Sequence, residues 1–316
     1  MRIAALDIGT NTVQLLIADA TDGTVRRLCV GERFVRLGEG VDAHGQIGPE
    51  AHDRLLAALK DHQETMQQHT VDAVVAAGTS ALRDATNRGA VLADLRDALG
   101  WKVEILSGDA EAAWSFAAAC APFAEGLGPC LVVDIGGGST ELIAGADPGP
   151  HHPMYPEAIV DRVSLNLGCV RLTERCFDQQ PPSPDAVAAA EQHIQTTLSE
   201  TTLTVDSDPT LIGTAGTATA LARVHAGPNT TWDALRGDGF TLTRADVSHW
   251  RKRLLHLSVD DIRALHPEAM AGRADVFPVG VLLLDCLLDH FDRPSIRVSP
   301  FELRHGLVLR AIADRA

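Results

Sequence analysis

The feature of this chain that most constrains its fold is a strand–turn–strand pattern that occurs twice. Residues 7–18 read DIGTNTVQLLIA, and residues 134–145 read DIGGGSTELIAG. Aligning the two segments pairs Asp7 with Asp134, Gly9 with Gly136, Thr12 with Ser139, Gln14 with Glu141 and Leu15 with Leu142. Because the predicted strands repeat together with these residues, the pattern indicates a two-fold internal duplication.

The segments around the repeats alternate between strand and helix patterns. Residues 50–69 carry leucines at helical spacing, and Ser107 and Ser183 are placed to cap the helices that follow them. An Asp22-Gly23 pair indicates a hairpin turn between the second and third strands. This alternation predicts the α/β class. A dinucleotide-binding unit is excluded, because GGGSTEL leads into another strand rather than into a helix.

The length of the chain bounds its domain organisation. A chain of 316 residues, 45% of them apolar, is long enough for two domains that each have a core. From the position of the second repeat, we expect a first domain at residues 1–124 and a second at residues 125–301. The terminal segment, residues 302–316, is expected to pack back onto the first domain as a helix.

Composition excludes several classes of partner and location. The net charge of −15 argues against a nucleic-acid-binding or membrane-surface protein, since both need broad basic patches. The start, MRIAALDIGT, does not resemble a signal peptide, and no apolar run approaches the roughly 20 residues of a membrane span. The six cysteines form no CxxC pair, which indicates reduced thiols. We therefore expect a cytoplasmic protein without nucleic-acid or membrane partners.

Four segments rich in glycine, threonine and serine follow apolar strands. Glycine lets a backbone approach a phosphate closely, and hydroxyl groups add donors. One such segment alone is an ordinary turn, but four at strand ends favour a phosphate site, because ligands of α/β folds bind where strand ends gather. The segments are GTNT at 9–12, AGTSALRDA at 77–85, GGGST at 136–140 and TAGT at 214–217.

Three carboxylates lie in or beside these segments, namely Asp7, Asp134 and Glu141. Such residues also cap turns, which is the alternative interpretation. Mg²⁺ prefers one or two carboxylates together with phosphate oxygens and water. Since the neighbouring segments are typical of phosphate binding, we expect these residues to hold Mg²⁺, with Mn²⁺ as the alternative cation.

Four further charged residues are candidates for catalysis or substrate contacts. Glu111 falls at the start of a predicted helix, where a carboxylate is favourable in any case. Arg83 follows a Gly/Thr/Ser segment, from which it can clamp a phosphate through two N–H groups. Arg36 is predicted to lie on a strand, and Arg304 just before the final helix.

With these residues identified, the sequence resembles the exopolyphosphatase / guanosine pentaphosphate phosphohydrolase (Ppx/GppA) family along nearly its whole length. DIGGGSTEL alone is shared with sugar kinases, actin and Hsp70, whereas SGDAEA together with LGCVRLTE is specific to the family. The matching strings, in the family's order, are DIGTNTVQLLIA, RFVRLGEG, GTSALRDA, ILSGDAEA, VVDIGGGSTEL, NLGCVRLTE, GTAGT, GRADVFPVG and FELRHGLVL.

The resemblance implies a duplicated actin-like fold of ribonuclease H-like domains with an interdomain cleft, and Mg²⁺-dependent removal of a terminal phosphate. The family's catalytic glutamate aligns with Glu111, while the glutamate that precedes it is replaced here by Ala110. Asp134 and Glu141 align with acids associated with the metal. The residues expected to contact substrate are Thr10, Asn11, Thr12, Arg36, Arg83, Gly136, Gly137, Gly138, Ser139, Thr140, Gly216, Thr217 and Arg304.

The expected reaction is hydrolysis of the terminal phosphoanhydride of inorganic polyphosphate. Short or medium chains are expected, because the C-terminal extensions of longer family members are absent. The alternative substrate is guanosine pentaphosphate (pppGpp), which the aromatic content of 4% does not favour. A small-molecule kinase of the same superfamily and a nucleotide-dependent scaffold are the remaining alternatives. The resemblance also implies a homodimer.

Overall fold

The computed structural model describes residues 1–21, 24–123, 127–146, 158–206, 208–231 and 240–314. Across these residues, strands and helices alternate along the chain, as the sequence predicts for the α/β class. The hairpin turn predicted at Asp22-Gly23 lies outside the described residues.

The chain divides into two compact units. Unit 1 contains Met1–Ala118 and Glu302–Ala316, and unit 2 contains Ala119–Phe301. The sequence placed the boundary after residue 124, in the connection that precedes the second repeat. The two units of the structure meet between Ala118 and Ala119, close to the end of the helix Gly108–Cys120.

In unit 1, the described residues form one mixed sheet with strands β1 (Arg2–Ile8), β2 (Thr12–Thr21), β3 (Thr24–Phe34), β4 (Ala73–Gly78) and β5 (Val103–Ile105). The strand order is β3-β2-β1-β4-β5. β1 is antiparallel to β2, whereas β1, β4 and β5 are parallel. The carboxyl ends of these three parallel strands therefore lie at one edge of the sheet.

In unit 2, the described strands are β6 (Cys130–Ile135), β7 (Thr140–Gly145), β8 (Ile159–Leu165), β9 (Thr210–Thr214), β10 (Phe240–Thr243) and β11 (Ser295–Val298). Their order, β8-β7-β6-β9-β11-β10, repeats the order of the first sheet strand by strand and adds β10 at one edge. The pairings also match, with β6 antiparallel to β7 and parallel to β9. The predicted duplicated, actin-like α/β fold is therefore confirmed.

Helices connect the strands and cover the faces of the two sheets. None of the helices within the described residues is both long and apolar enough to cross a membrane. The helices are α1 (Val41–His44), α2 (Pro49–Gln68), α3 (Ser80–Asp84), α4 (Arg88–Leu99), α5 (Gly108–Cys120), α6 (Cys169–Cys176), α7 (Pro184–Glu200), α8 (Ala215–Ala226), α9 (Arg244–Leu254), α10 (Val259–Leu265), α11 (Phe277–His290) and α12 (Leu303–Ala313).

Local sequence signals account for several of the helix ends. Ser107 Oγ accepts a hydrogen bond from Ala110 N at 3.2 Å, and Ser183 Oγ accepts one from Ala186 N at 3.2 Å. Gly100 ends α4 in the left-handed region, with φ 78°. The two predicted N-caps are thus confirmed, and the helix predicted at residues 50–69 corresponds to α2.

The sheet of unit 1 is buried on both faces. Ala4 and Leu6 of β1 belong to a core cluster with residues of α2 and α4. Ile3 and Ala5 belong to a second cluster, which contains Leu307 of α12. Burial on both faces explains why β1 is almost continuously apolar rather than alternating, and it places α12 against the sheet of unit 1.

Candidate active site

The candidate residues of unit 1 follow the carboxyl ends of its three parallel strands. In the sheet register, Ile8 of β1 lies beside Gly78 of β4, and Gly78 lies beside Ile105 of β5. The chain continues from these ends into residues 9–12, helix α3 and helix α5. Segments that are far apart in sequence thus begin at one edge, where ligand sites of α/β folds are found.

Residues 9–12 form a tight turn that backbone hydrogen bonds hold in place. Gly9 N donates to Thr12 O at 2.9 Å, and Gly38 N donates to Thr10 O at 2.9 Å. Gly38 leaves no room for a side chain, since a Cβ there would stand 2.2 Å from Thr10 Cγ2. The carbonyl groups of Thr10 and Thr12 are therefore held in place by backbone hydrogen bonds.

Glu111 lies in the first turn of α5 and is buried, with 7% of its surface exposed. Arg83 Nη1 donates to Glu111 Oε2 at 2.7 Å and to Leu106 O at 3.2 Å. Burial raises the pKa of Glu111 above its usual value, while the hydrogen bond and the charge of Arg83 oppose that rise. A buried carboxyl group with a perturbed pKa beside an arginine is a candidate for proton transfer.

Arg36 is not on a strand, contrary to the prediction, because β3 ends at Phe34. Val35 N and Arg36 N both donate to Asn11 O at 2.9 Å. This bonding bends the chain, and Arg36 has a φ of 47°, in the left-handed region. The alternation of charged and apolar residues indicated a strand, but attachment to the 9–12 turn determines the conformation here.

Arg304 lies within the first turn of α12 rather than before the helix as predicted, because α12 begins at Leu303. It is buried, and its Nη2 lies 3.7 Å from Glu302 Oε2. Among the described residues, no hydrogen bond or ion pair joins Arg304 to Glu111. The two helices are nevertheless in close contact, since a Cβ at Gly306 would stand 2.2 Å from Trp114 O.

Unit 2 repeats the turn of unit 1. Gly136 N donates to Ser139 O at 2.9 Å, which is the counterpart of the bond that closes the 9–12 turn. Gly168 packs against this second turn so closely that a Cβ would stand 2.3 Å from Gly137 O. Both turns therefore depend on glycines brought to them from distant parts of the sequence.

Asp134 and Glu141 face each other across β6 and β7. Directly opposed residues of an antiparallel pair point to the same face, and these two are 8% and 1% exposed. Ser164 lies opposite Glu141 on β8, and its Oγ donates to Glu141 Oε1 at 2.7 Å. The two carboxylates are thus adjacent, and one of them is oriented by a hydroxyl group that the sequence analysis missed.

The corresponding row in unit 1 consists of Asp7, Gln14 and Glu32 on β1, β2 and β3. Gln14 Nε2 donates to Glu32 Oε1 at 3.4 Å. A neutral amide therefore stands where unit 2 has Glu141. The adjacent pair of carboxylates that a divalent cation favours occurs in unit 2, and Asp7 has no such neighbour on β2.

Gly216 and Thr217 lie in the first turn of α8, and not in a loop as predicted. β9 ends at Thr214, and the helix begins at Ala215, whose φ is 60°. The strand is therefore connected directly to the helix. Helix N-termini present several backbone N–H groups to anions, so phosphate binding by this segment stays a prediction that the helical conformation is compatible with.

Two arginines that brace the segments of unit 2 were not assigned a role from the sequence. Arg171 Nε donates to Gly138 O at 2.7 Å, and Arg273 Nη1 donates to Gly216 O at 3.1 Å. A Cβ at Gly216 would stand 2.3 Å from the same Arg273 nitrogen. Both arginines fall in strings that carried the family resemblance, LGCVRLTE and GRADVFPVG, which was the available signal.

The donor set of unit 2 fits a hard cation. Within the described residues, no group of three or more histidine, cysteine, aspartate or glutamate side chains could hold a metal ion. Mg²⁺ does not require such a group, because phosphate oxygens and water complete its coordination. Asp134 and Glu141 offer oxygen ligands from one face of the sheet, which fits Mg²⁺ or Mn²⁺ better than Zn²⁺.

Residues 16–314 match the Ppx/GppA phosphatase family. The chain belongs to this family. Exopolyphosphatase 2 of Mycobacterium tuberculosis is 36% identical to it, in a match that covers 98% of both chains. The guanosine-5'-triphosphate,3'-diphosphate pyrophosphatase of Vibrio cholerae is 31% identical, covering 98% of this chain and 59% of that protein.

The crystal structure of an exopolyphosphatase from Cytophaga hutchinsonii is also similar, with a TM-score of 0.85 and 27% identity over 100% of this chain and 99% of that chain. Membership of the Ppx/GppA phosphatase family confirms the resemblance that the sequence strings indicated. It also confirms the predicted enzyme class, a hydrolase of phosphoanhydride bonds.

Proposed function

We propose that this Ppx/GppA protein is a Mg²⁺-dependent exopolyphosphatase, which hydrolyses the terminal phosphoanhydride of inorganic polyphosphate and releases orthophosphate. The observation that carries the proposal is the hydrogen bond between Arg83 and Glu111. Glu111 is a buried carboxyl group of raised pKa, and it lies at the edge of the sheet where the Gly/Thr/Ser segments begin. The similarity to exopolyphosphatase 2 of Mycobacterium tuberculosis supports the choice of substrate.

In the proposed reaction, Glu111 accepts a proton from water while the water oxygen bonds to the terminal phosphorus. The bond from that phosphorus to the bridging oxygen breaks, and the shortened chain leaves with the electron pair. Glu111 then returns its proton to solvent. Arg83 keeps Glu111 sufficiently ionised to act as the base, because its positive charge opposes the effect of burial on the pKa.

Backbone amides and arginines are proposed to bind the phosphates. The turn at residues 9–12, the turn at residues 136–140 and the N-terminus of α8 supply N–H donors at strand ends, where they stabilise charge that develops on phosphate oxygens. Arg83, Arg36 and Arg304 supply positive charge for neighbouring phosphates. Arg171 and Arg273 hold the segments of unit 2 in shape through Gly138 O and Gly216 O.

Asp134 and Glu141 would hold Mg²⁺. When bound, the cation neutralises negative charge on phosphate oxygens and thereby favours attack by water. Ser164 orients Glu141 through the 2.7 Å hydrogen bond, which is the role that supporting groups have around metal ligands. Mn²⁺ shares the preference for oxygen ligands and is expected to substitute for Mg²⁺.

Release of orthophosphate from polyphosphate, with and without Mg²⁺ and with no acceptor present, tests the proposal. We expect release that depends on the cation and continues without any acceptor. Phosphate transfer that appears only when a small-molecule acceptor is added would indicate a kinase instead. No release under any of these conditions would contradict the proposal.

The similarity to the Vibrio cholerae pyrophosphatase favours a second candidate substrate, pppGpp, whose 5′ γ-phosphate could leave by the same chemistry. We expect kcat/KM to be higher for polyphosphate, because an aromatic content of 4% offers few rings on which guanine can stack. Side-by-side measurement of kcat/KM on the two substrates decides between them.

We propose a homodimer as the state in solution. Val30 and Val160 are exposed on the edge strands β3 and β8, and apolar residues on sheet edges favour association with a second chain. Size-exclusion chromatography with light scattering checks this proposal, and a mass that stays at one chain at all concentrations would contradict it.

A further inference from the structure

A basic stripe lies on the exposed face of helix α9 in unit 2. His249, Lys252 and Arg253 are exposed at i, i+3 and i+4, and His256 follows in the turn that ends the helix. His256 Nδ1 lies 2.7 Å from Lys252 O, which keeps the fourth residue beside the others. These four residues, named here the α9 stripe, stand out on a chain whose net charge is −15.

Lys252 and Arg253, the two charged residues of the α9 stripe, are not neutralised by ion pairs within the described part of the chain. Among the described residues, Lys252 and Arg253 have no ion-pair partner, and Arg253 instead lies over the ring of Trp250 at 5.0 Å. The opposite face of the same helix is different, since Arg251 pairs with Asp285 at 2.7 Å. Asp246 precedes His249 by one turn of α9 and is influenced by its charge, so the side chains of the stripe that lack a carboxylate partner among the described residues are Lys252 and Arg253.

The α9 stripe lies toward the end of unit 2 that carries the phosphate-binding segments. Arg244 at the start of α9 pairs with Asp289, and Arg251 further along pairs with Asp285, so α9 is antiparallel to α11. The beginning of α11 packs on the first turn of α8, since a Cβ at Gly280 would stand 2.7 Å from Thr217 Oγ1. Positions 285 and 280 are about 7.5 Å apart along α11, and the α9 stripe lies at this end of α9, on the face turned away from α11.

We propose that the α9 stripe binds the distal part of a polyphosphate chain whose terminal phosphate is being hydrolysed. This inference rests on the proposed function, because it assigns the same substrate to a second surface. A linear polyanion that leaves the segments at Thr217 can pass along α9 and meet the charges of Lys252 and Arg253 in succession. Such contacts release counterions, so they raise affinity for long chains and make it dependent on salt.

The proposal predicts that removal of the α9 stripe changes KM only for long polyphosphate chains. In the double variant Lys252→Ala/Arg253→Ala, KM for long-chain polyphosphate should rise about three- to tenfold, while KM and kcat for tripolyphosphate stay unchanged. The slope of log KM against log salt for the long chain should fall in magnitude by about one to two. Lys252→Glu alone should act in the same direction without removing the stacking of Arg253 on Trp250.

A matched control is the variant Lys60→Ala/Lys102→Ala, which removes two exposed lysines of unit 1 and changes the net charge equally. It should leave KM unchanged for both chain lengths. If the two double variants raise KM for long chains equally, net charge and not the α9 stripe determines affinity, and the proposal is overturned. The same holds if Lys252→Ala/Arg253→Ala leaves KM for long chains unchanged while hydrolysis proceeds.

Direct binding separates failure of this inference from failure of the proposed function. If the wild-type protein releases no orthophosphate from polyphosphate of any length, the proposed function fails, and calorimetric titration with long-chain polyphosphate still tests the stripe. Weaker binding to Lys252→Ala/Arg253→Ala than to wild type would support it, and equal binding would overturn it. Tighter binding of an RNA oligonucleotide of equal charge would also overturn it, by indicating another class of polyanion.

Discussion

Arg83 Nη1 donates a 2.7 Å hydrogen bond to Glu111 Oε2, which couples a residue after β4 to one after β5. Two influences on the Glu111 carboxyl group oppose each other. Burial raises its pKa, and Arg83 lowers it through hydrogen bonding and charge. The balance between them sets the fraction of Glu111 that is ionised at a given pH, and with it, in the proposed reaction, the fraction of enzyme that can accept a proton from water.

Substitution Arg83→Ala should move the acidic limb of the kcat–pH profile to higher pH. Without the guanidinium, nothing at this position opposes the effect of burial, so the pKa of Glu111 rises further and less of the base is ionised. The profile is measured at saturating substrate, because loss of a phosphate contact should also raise KM. Arg96→Ala, at an exposed arginine, is the control, and a limb that moves to lower pH would contradict the assignment.

Substitution Gly168→Ala should raise KM and lower stability, because its Cβ would stand 2.3 Å from Gly137 O and the turn would have to move. Overpacking of this kind costs roughly 1–3 kcal/mol. Gly89→Ala is the matched control, since no atom lies within 4 Å of its Cβ and alanine favours a helix. Denaturant unfolding and steady-state kinetics check both variants. A Gly168→Ala protein with unchanged KM would show that the turn does not contact substrate.

Substitution Ser164→Ala should increase the Mg²⁺ concentration required for half-maximal activity by about tenfold or more, because supporting groups of metal ligands have effects of this size. Ser164 Oγ donates to Glu141 Oε1 at 2.7 Å, so its removal leaves this carboxylate less firmly oriented. Ser199→Ala, on the exposed surface of α7, should leave the Mg²⁺ dependence unchanged. Equal Mg²⁺ titrations for the two variants would argue against a cation at Glu141.

His62 should make the free energy of unfolding fall in mildly acidic solution. This side chain is buried under β2, and burial lowers its pKa below the usual 6.5. Between the folded pKa and 6.5, the unfolded chain binds more protons than the folded protein, so stability is full above 6.5 and decreases as the pH falls through that window. Denaturant unfolding from pH 8 to pH 5 should show a smaller decrease for His62→Gln than for wild type. The exposed control His249→Gln should keep the wild-type decrease.

Local rules were sufficient to predict much of the fold. The helix at residues 50–69 and the N-caps at Ser107 and Ser183 each depend on neighbours within a few residues, and the structure confirms them. The repeat of DIGTNT in DIGGGST predicted the duplication, and equivalent bonds close the two turns, Gly9 N to Thr12 O in unit 1 and Gly136 N to Ser139 O in unit 2.

Predictions were wrong, or were not made, where contacts distant in sequence decide the conformation. Arg36 leaves the strand because Asn11 O accepts its N–H, and no pattern within RFVRLGEG indicates that partner. Ser164 acquires a role only through its position opposite Glu141 in the sheet register. Arg273 likewise contacts Gly216 O from a segment far along the chain, so its role could not be inferred from spacing alone.

The most direct test of the account is the turnover of Glu111→Gln on polyphosphate. Glutamine keeps the shape of the side chain and removes its ability to accept a proton, so kcat should fall by about 10²–10⁴ while polyphosphate still binds. Orthophosphate release measures the first quantity, and calorimetric titration measures the second. A Glu111→Gln protein that hydrolyses polyphosphate at the wild-type rate would show that Glu111 is not the base.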